Sequence, residues 1–519
     1  MTSRLRRLLP PKGLPIASET ELKLAARAGD LPAVRRALEA MAGGSRVSRA
    51  RLISTYYDTP DRALAQRGSS LRVRRHGRHY VQTVKAAGAV GEIARGEWED
   101  AVAGDHPDPQ AAQTGVFLSP EIAGQLRPLF RTEVSRTTIP LAPEPATRIE
   151  AAIDRGRIRN GENTPPARIS EIELELKSGA PSALYDVALK LLHVAPLRLE
   201  PRSKAERGYR LSGHDDGTAK AVHAAALDLR GGISAEVALQ RIGRACLDHM
   251  LRNENAALAG DPEGIHQMRV AVRRLRAILS AFAALLPPEQ RRWASAELRW
   301  FSDILGETRN LDVFASELLR PARAALTPAS DFEPLGLAIA RRRRAAHKDV
   351  VKAIASTRYT ETMLALLRWF DGGDWRPAGS GDILDRPIED IAPLLLDRCR
   401  KKAEKRSKGF AGQSARQRHR LRIALKKLRY AAELLGSLYD PGETRHFVQR
   451  LKRLQDDLGD INDVRVGRSI VASLARPGSR LNIGNAGRRV LAWHKRRLGH
   501  NEHRLSQHLS ELRESDRFW

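Results

Sequence analysis

The sequence predicts an α+β domain of antiparallel strands followed by an all-α region made of two copies of one helical unit. Three observations predict it. Residues 16–211 alternate apolar and polar positions with period two, and beyond Ser234 long segments rich in Ala, Leu and Arg recur with period 3.6. A histidine and three basic residues then repeat from His266 to His419, an offset of 153 residues.

The strand pattern is clearest at residues 51–58, 70–75 and 78–85, with His76 and Gly77 offering a hairpin turn between the last two because glycine accepts positive φ. Helical patterns interrupt at residues 30–42 and 181–194. The polar, glycine-containing stretch 212–218 marks a change in composition, so we expect a first domain over 15–212, a linker over 213–233 and a helical domain over 234–515. Within the last, two repeats at 234–372 and 386–515 are joined by the Gly/Pro/Asp-rich segment 375–385. A length of 519 residues agrees with more than one core.

A formal net charge of +28, from 89 Lys and Arg against 61 Asp and Glu, points to a polyanionic partner. Two cysteines, Cys246 and Cys399, are too few for a disulfide framework and lack zinc-site spacing, which suggests a reducing compartment. The basic N-terminus has no apolar core of signal-peptide length, and no run of eighteen apolar residues follows, so a cytoplasmic protein without a membrane span is expected.

Two segments place carboxylates at alternate positions and end in lysine: Glu19, Glu21 and Lys23, then Glu171, Glu173, Glu175 and Lys177. On a strand all of these share one face. Two such strands can converge on a hard cation such as Mg²⁺ or Mn²⁺, with basic residues between them holding the accompanying phosphates. For either segment alone, a solvated polar face is the simpler reading.

In the helical half, His266, Arg269, Arg273 and Arg276 share their spacing with His419, Arg422, Lys426 and Arg429. At about 100° per residue each set falls within roughly 80° of arc, so each forms one stripe. Val272, Leu275 and Leu279, and in the second copy Leu425 and Leu428, lie opposite and would pack into a bundle. Repelling cations so close are tolerated in water or against an anion. A histidine that gains an anionic neighbour holds its proton more readily, which would strengthen binding at lower pH. Aromatic residues are only 5% of the chain and none belongs to either His/Arg set, which disfavours single-stranded nucleic acid and suits a phosphate chain without bases. Further matching elements follow at 305–313 and 458–464, whereas the run Arg341 to Arg344 reads as a solvated helical face.

The first half resembles the CYTH, or triphosphate tunnel metalloenzyme, family. The resemblance rests on Glu19-Thr20-Glu21-Leu22-Lys23, Tyr57-Asp58-Thr59, Arg72 and Arg74, Lys85, Glu97 and Glu99, Arg131 and Arg136, Asp154, the acidic strand from Glu171 to Glu175, and Ser203-Lys204, in that order. The second half resembles a CHAD domain, with His266 and His419 at matching positions, and that family is associated with polyphosphate binding. Together they resemble bacterial inorganic triphosphatases of CYTH-CHAD organisation. The resemblance implies an eight-stranded antiparallel barrel enclosing an open-ended tunnel, and hydrolysis of inorganic triphosphate with Mg²⁺ or Mn²⁺.

It further implies Glu19, Glu21 and Glu175 as metal ligands, with Glu97, Glu99 and Asp154 either binding a second metal or positioning the basic residues. Glu171 and Glu173 would complete the acidic wall or orient the attacking water. Arg72, Arg74, Lys85, Arg131, Arg136 and Lys204 would clamp phosphates, while Lys23 is either a phosphate contact or a proton acceptor. His266, Arg269, Arg273, Arg276, His419, Arg422, Lys426 and Arg429 would hold polyphosphate, with association with polyphosphate granules an open reading. A polyphosphate-binding scaffold with a silent barrel, and a thiamine triphosphatase or adenylate cyclase on the same fold, are the alternatives. Oligomeric state is not legible.

Overall fold

The computed structural model describes residues 18–86, 90, 94–161, 164–213, 219–373, 375–376, 381–474, 483–498 and 501–519. The basic N-terminal segment, most of the expected boundary at 212–218 and part of the connector at 375–385 lie outside them.

The first half runs β1 (Ser18–Ala25), α1 (Leu31–Met41), β2 (Ser48–Asp58), α2 (Ala63–Gln66), β3 (Ser69–His76), β4 (His79–Ala86), β5 (Ala94–Val102), α3 (Pro120–Ala123), β6 (Arg127–Glu144), β7 (Thr147–Arg159), β8 (Ala167–Ser178), α4 (Ser182–Leu192), β9 (Arg198–Leu199) and α5 (Lys204–Leu211). The strands form one antiparallel sheet in the order β5-β4-β3-β2-β6-β7-β8-β1-β9. Pairing of β1 with β5 closes eight of them into a barrel, and the two-residue β9 is added beside β1. Gly77, with φ of 62°, makes the β3–β4 turn with Arg78, one residue beyond the sequence expectation.

Closure divides side chains strictly between an inner and an outer face, because the strand period is two. The outer face is apolar where helices cover it. Leu22, Leu24, Ile172 and Leu174 are buried, as are Leu31, Val34 and Leu38 on α1 and Leu184, Val187 and Leu191 on α4. On the opposite side Leu71, Val73, Val84 and Trp98 pack with Phe117, Leu118 and Ile122. The inner face is apolar at one end only. There Leu52, Tyr56, Phe130, Val134, Ile158 and Ile169 gather around Ala205 of α5. The tunnel implied by the family resemblance is therefore filled at that end, because side chains of inner-face parity meet a helix instead of water.

The second half is helical among the described residues: α6 (Ala235–Arg252), α7 (Glu254–Leu258), α8 (Pro262–Ala281), α9 (Pro288–Val313), α10 (Arg320–Ala325), α11 (Glu333–Ile354), α12 (Thr357–Gly372), α13 (Gly381–Asp385), α14 (Ile388–Ser407), α15 (Ala415–Leu435), α16 (Pro441–Leu474), α17 (Ile483–Leu498) and α18 (Asn501–Glu514). The chain thus has an N-terminal antiparallel sheet domain followed by an all-helical region. No helix among the described residues is long and apolar enough to cross a membrane.

Two compact units result. One is Met1–Thr218 with Ala355–Gly372, the other Ala219–Ile354 with Gly373–Trp519. Helix α12, expected to close the first helical repeat, belongs with the sheet. It packs on α4, with Arg368 Nε donating to Asp186 at 2.7 Å and Tyr185 donating to Asp371, and it buries Met363, Leu364, Leu367 and Phe370. An amphipathic helix goes where its apolar face is matched, and sequence order does not set that place.

Candidate active site and anion groove

Strand register puts nearly every charged residue singled out in the first half on the inner face. Glu21 stands opposite Glu175, Lys23 opposite Glu173, Glu171 opposite Asp154, and Asp154 opposite Arg136. Around the ring, Arg74 is opposite Ser54, Arg72 opposite Tyr56 and Thr83, Thr83 opposite Glu99, and Lys85 opposite Glu97. Arg131 is the departure. It pairs with Thr55 and Arg159, one residue out of step with Arg136, and its side chain is exposed on the outer face. An odd separation along a strand forbids Arg131 and Arg136 from sharing a face.

The ion pairs organise this interior. Lys204 Nζ lies 2.7 Å from Asp154, 2.5 Å from Glu171 and 2.8 Å from Glu173. Arg136 pairs with Asp154 at 2.6 Å and also with Glu173, while Arg207 reaches Glu171 at 2.5 Å. Lys23 pairs with Glu21 and stands 3.9 Å from Glu173. Lys85 bridges Glu19 and Glu97, the latter at 3.1 Å, and Arg72 lies 3.5 Å from Glu97 and 3.7 Å from Glu99. Glu175 pairs with Lys177 toward the more exposed end.

These partners set the protonation states. Burial alone would raise the Glu173 carboxyl, yet Lys204, Arg136 and Lys23 hold it well below the usual range. For Glu19 burial is likewise outweighed, chiefly by Lys85, and the net direction is down. Glu97 goes the other way: burial raises it, with Glu19 adding, against Lys85 and Arg72. Burial, with Arg72 and Arg136 nearby, lowers Arg74 to about 10.

Helix α5 supplies Lys204 and Arg207 because its ends are fixed. Ser203 caps it, accepting from Glu206 N at 3.0 Å while Ser203 N donates to Glu206 Oε2 at 2.7 Å. Asp58, fully buried, accepts from the backbone N–H of Thr59, Leu64 and Ala65 at 2.8 to 2.9 Å and from the Tyr209 hydroxyl at 3.0 Å. The Tyr57-Asp58-Thr59 motif thus anchors α2 and α5 and contributes no inner-face ligand. Arg207 was not legible as a site residue, since nothing in its spacing separates it from Arg210 on the same short helix.

Asp154, Glu171 and Glu173 offer carboxylate oxygens within 4.8 Å of one another. This hard-oxygen set suits Mg²⁺ or Mn²⁺ by ligand type. Asp154 was expected as a second-metal or positioning residue and Glu171 and Glu173 in the acidic wall; Glu19, Glu21 and Glu175, expected as first ligands, are each paired with a lysine, and the Lys204 ammonium already serves the three converging carboxylates.

In the helical unit α8 packs against α15, and the two basic stripes meet. Arg269 and Arg273 face Arg422 and Lys426, and burial together with these neighbouring cations weakens the hold of Arg269, Arg422 and Lys426 on their protons. Burial first, then Arg273, Arg422, Arg269 and Arg429, pushes Lys426 down to about 6. Burial followed by Arg309 and Arg273 pushes His266 down to about 4, and Arg269 falls to about 10 for similar reasons. Among the described residues no carboxylate forms an ion pair with Arg269, Arg273, Arg422 or Lys426, and the Nε atoms of these three arginines are buried without hydrogen-bond partners. The opposing Val272, Leu275, Leu279, Leu425 and Leu428 are buried.

The remaining stripe members have other surroundings as well. His419 is exposed, Arg429 pairs with Glu433 at 3.1 Å, and Arg276 has Arg299 and Asp303 as its neighbours. The run at 341–344 is partly structural: Arg342 binds Glu307 at 2.8 Å and Arg343 binds Asp312 at 2.6 Å.

Comparison with known proteins gives the same order of a sheet domain and a helical domain, with the helical match running through α12. The CYTH domain family model matches residues 17–209 and the CHAD domain family model residues 241–472. The inorganic triphosphatase of Haemophilus influenzae is 35% identical over 161 residues, 30% of this chain and 45% of that one. An uncharacterized protein of Mycobacterium tuberculosis is 27% identical over 233 residues, 43% of this chain and 42% of that one. The chain spans less than half the length of these curated relatives. A crystal structure of the CHAD domain from the plant Ricinus communis is 28% identical, covering 59% of this chain and 99% of that one at a TM-score of 0.49.

Proposed function

Starting from a chain that is a CYTH domain followed by a CHAD domain, we propose that the barrel hydrolyses inorganic triphosphate with a divalent metal and that the helical groove binds polyphosphate. One observation carries the reading. Arg72, Arg74, Arg136, Lys23 and Lys85 share the barrel's inner face with Glu19, Glu21, Glu97 and Glu173, so phosphate-binding and cation-binding groups line one space.

Arg72, Arg74 and Arg136 bind non-bridging oxygens, their planar guanidiniums fitting phosphate in pairs. Asp154, Glu171 and Glu173, with Glu19, Glu21 and Glu175 nearer the open end, are the carboxylates available to hold Mg²⁺ or Mn²⁺, which offsets charge developing on the phosphates. Water attacks the terminal phosphorus in line, the phosphoanhydride P–O bond breaks, and pyrophosphate leaves with the bonding pair. Glu97, held above the usual carboxylate range by burial, accepts the water's proton, whereas Glu173, held well below it, does not. Lys23, beside Glu21 and Glu173, serves as a phosphate contact. Because one end of the barrel is filled by the cluster around Tyr56 and Phe130, substrate enters and product leaves through the other, which favours short chains and chain ends.

The test is phosphate release from chains of defined length with Mg²⁺ or Mn²⁺. Triphosphate turns over fastest, long polyphosphate is trimmed from its ends, and Glu173→Gln and Arg74→Ala lower turnover at least 100-fold on the scale of lost electrostatic stabilisation. Retained polyphosphate binding with no turnover of any chain would leave the scaffold reading in its place.

A further inference from the structure

Tyr430 lies on the same stripe of α15 as Arg422 and Lys426, eight and four residues further on, which keeps the three within roughly 80° of arc. It is 2% exposed, and its hydroxyl oxygen is buried without a hydrogen-bond partner. Its ring end is a near neighbour of Arg269 on α8 and of Arg422 on its own helix. The Arg429 guanidinium stacks on its ring, 4.5 Å from the centroid, and steadies the ring orientation. An unpartnered buried hydroxyl is unfavourable in the free protein, and phenylalanine would fill the same space without it. The corresponding position of the first repeat, 153 residues earlier, is Ala277, so only one side of the groove carries this donor.

Resting on the reading of the groove as a polyphosphate site, we propose that Tyr430 is a binding residue whose hydroxyl donates a hydrogen bond to a non-bridging phosphate oxygen held between Arg269 and Arg422. It fixes where the chain seats along the groove. The contact is non-covalent. A neutral donor acts through direction, while the cations around it act through charge and counterion release, so the two kinds of contact respond differently to salt.

The experiment measures binding of polyphosphate of defined length to the full-length wild type, Tyr430→Phe and Arg422→Ala across a salt series, together with melting of each protein without polymer. Tyr430→Phe weakens binding about 10- to 100-fold at every salt concentration, the worth of one hydrogen bond to a charged acceptor, and leaves the dependence of log affinity on log salt unchanged. Its melting temperature without polymer stays level or rises. Arg422→Ala weakens binding and flattens the salt dependence. A Tyr430→Phe protein that binds like the wild type, or one whose weaker binding comes with a lower melting temperature, overturns the assignment. A wild type that retains no polyphosphate overturns the groove reading itself, and Tyr430 falls with it.

Discussion

Lys204 is buried to 9% exposure against three carboxylates, and the physics of that cluster is testable one side chain at a time. Removing one partner of a buried ion pair leaves uncompensated charge and costs about 3–5 kcal/mol. Lys204→Met is therefore expected to destabilise the first unit by that order when chelator is present. Mg²⁺ or Mn²⁺ should recover part of the loss, because Asp154, Glu171 and Glu173 then face a cation again; thermal melting with and without divalent ions reads this directly. Lys426 gives the opposite case, a cation among cations. Its pKa of about 6 in the free folded protein lies below that of an unfolded lysine, so between the two values the folded state holds fewer protons and this group's contribution to stability grows as pH rises. A bound polyanion returns the proton. Polyphosphate affinity should accordingly fall as pH rises above about 6, and Lys426→Arg, always charged, should flatten that slope in calorimetric titrations.

At the scale of elements, α5 decides the chemistry of the barrel floor. A Cβ at Gly208 would stand 2.0 Å from the Phe130 ring, so the helix rests directly on an aromatic face. Gly208→Ala must shift α5 or Phe130 and with them Lys204 and Arg207. The expected cost is about 1–3 kcal/mol in denaturant unfolding, with turnover falling while polyphosphate binding by the helical unit is kept. Gly208→Ala turnover equal to the wild type would show that α5 does not position the inner-face charges.

For the molecule as a whole, the sheet unit borrows α12 from the sequence of the helical half. Leu364, fully buried on α12, should cost about 2–5 kcal/mol on truncation to alanine, and the loss should appear as thermal inactivation of turnover. Loss of polyphosphate binding with intact turnover would place α12 with the other unit instead. The inner-face charges were legible because a strand's period is fixed: Glu19, Glu21 and Lys23 could be assigned to one face from spacing alone. Arg131 was expected in the phosphate clamp beside Arg136, and the same rule, applied to the register of β6, removes it, since five residues separate the two. Arg207 and Tyr430 escaped notice because their roles arise from elements that meet only in the folded chain.

Periodicity and repetition, which depend on nothing beyond neighbouring residues, by themselves determined the sheet-then-helix order, the placement of alternate carboxylates on one face of each acidic strand, and the two basic stripes. Tertiary structure alone decided that Lys204 meets Asp154, Glu171 and Glu173, that α5 and an apolar cluster fill one end of the barrel, that α8 and α15 turn their stripes toward each other, and that α12 joins the sheet. Those outcomes depend on which buried surfaces and charges find partners far along the chain, and local spacing carries no record of that choice.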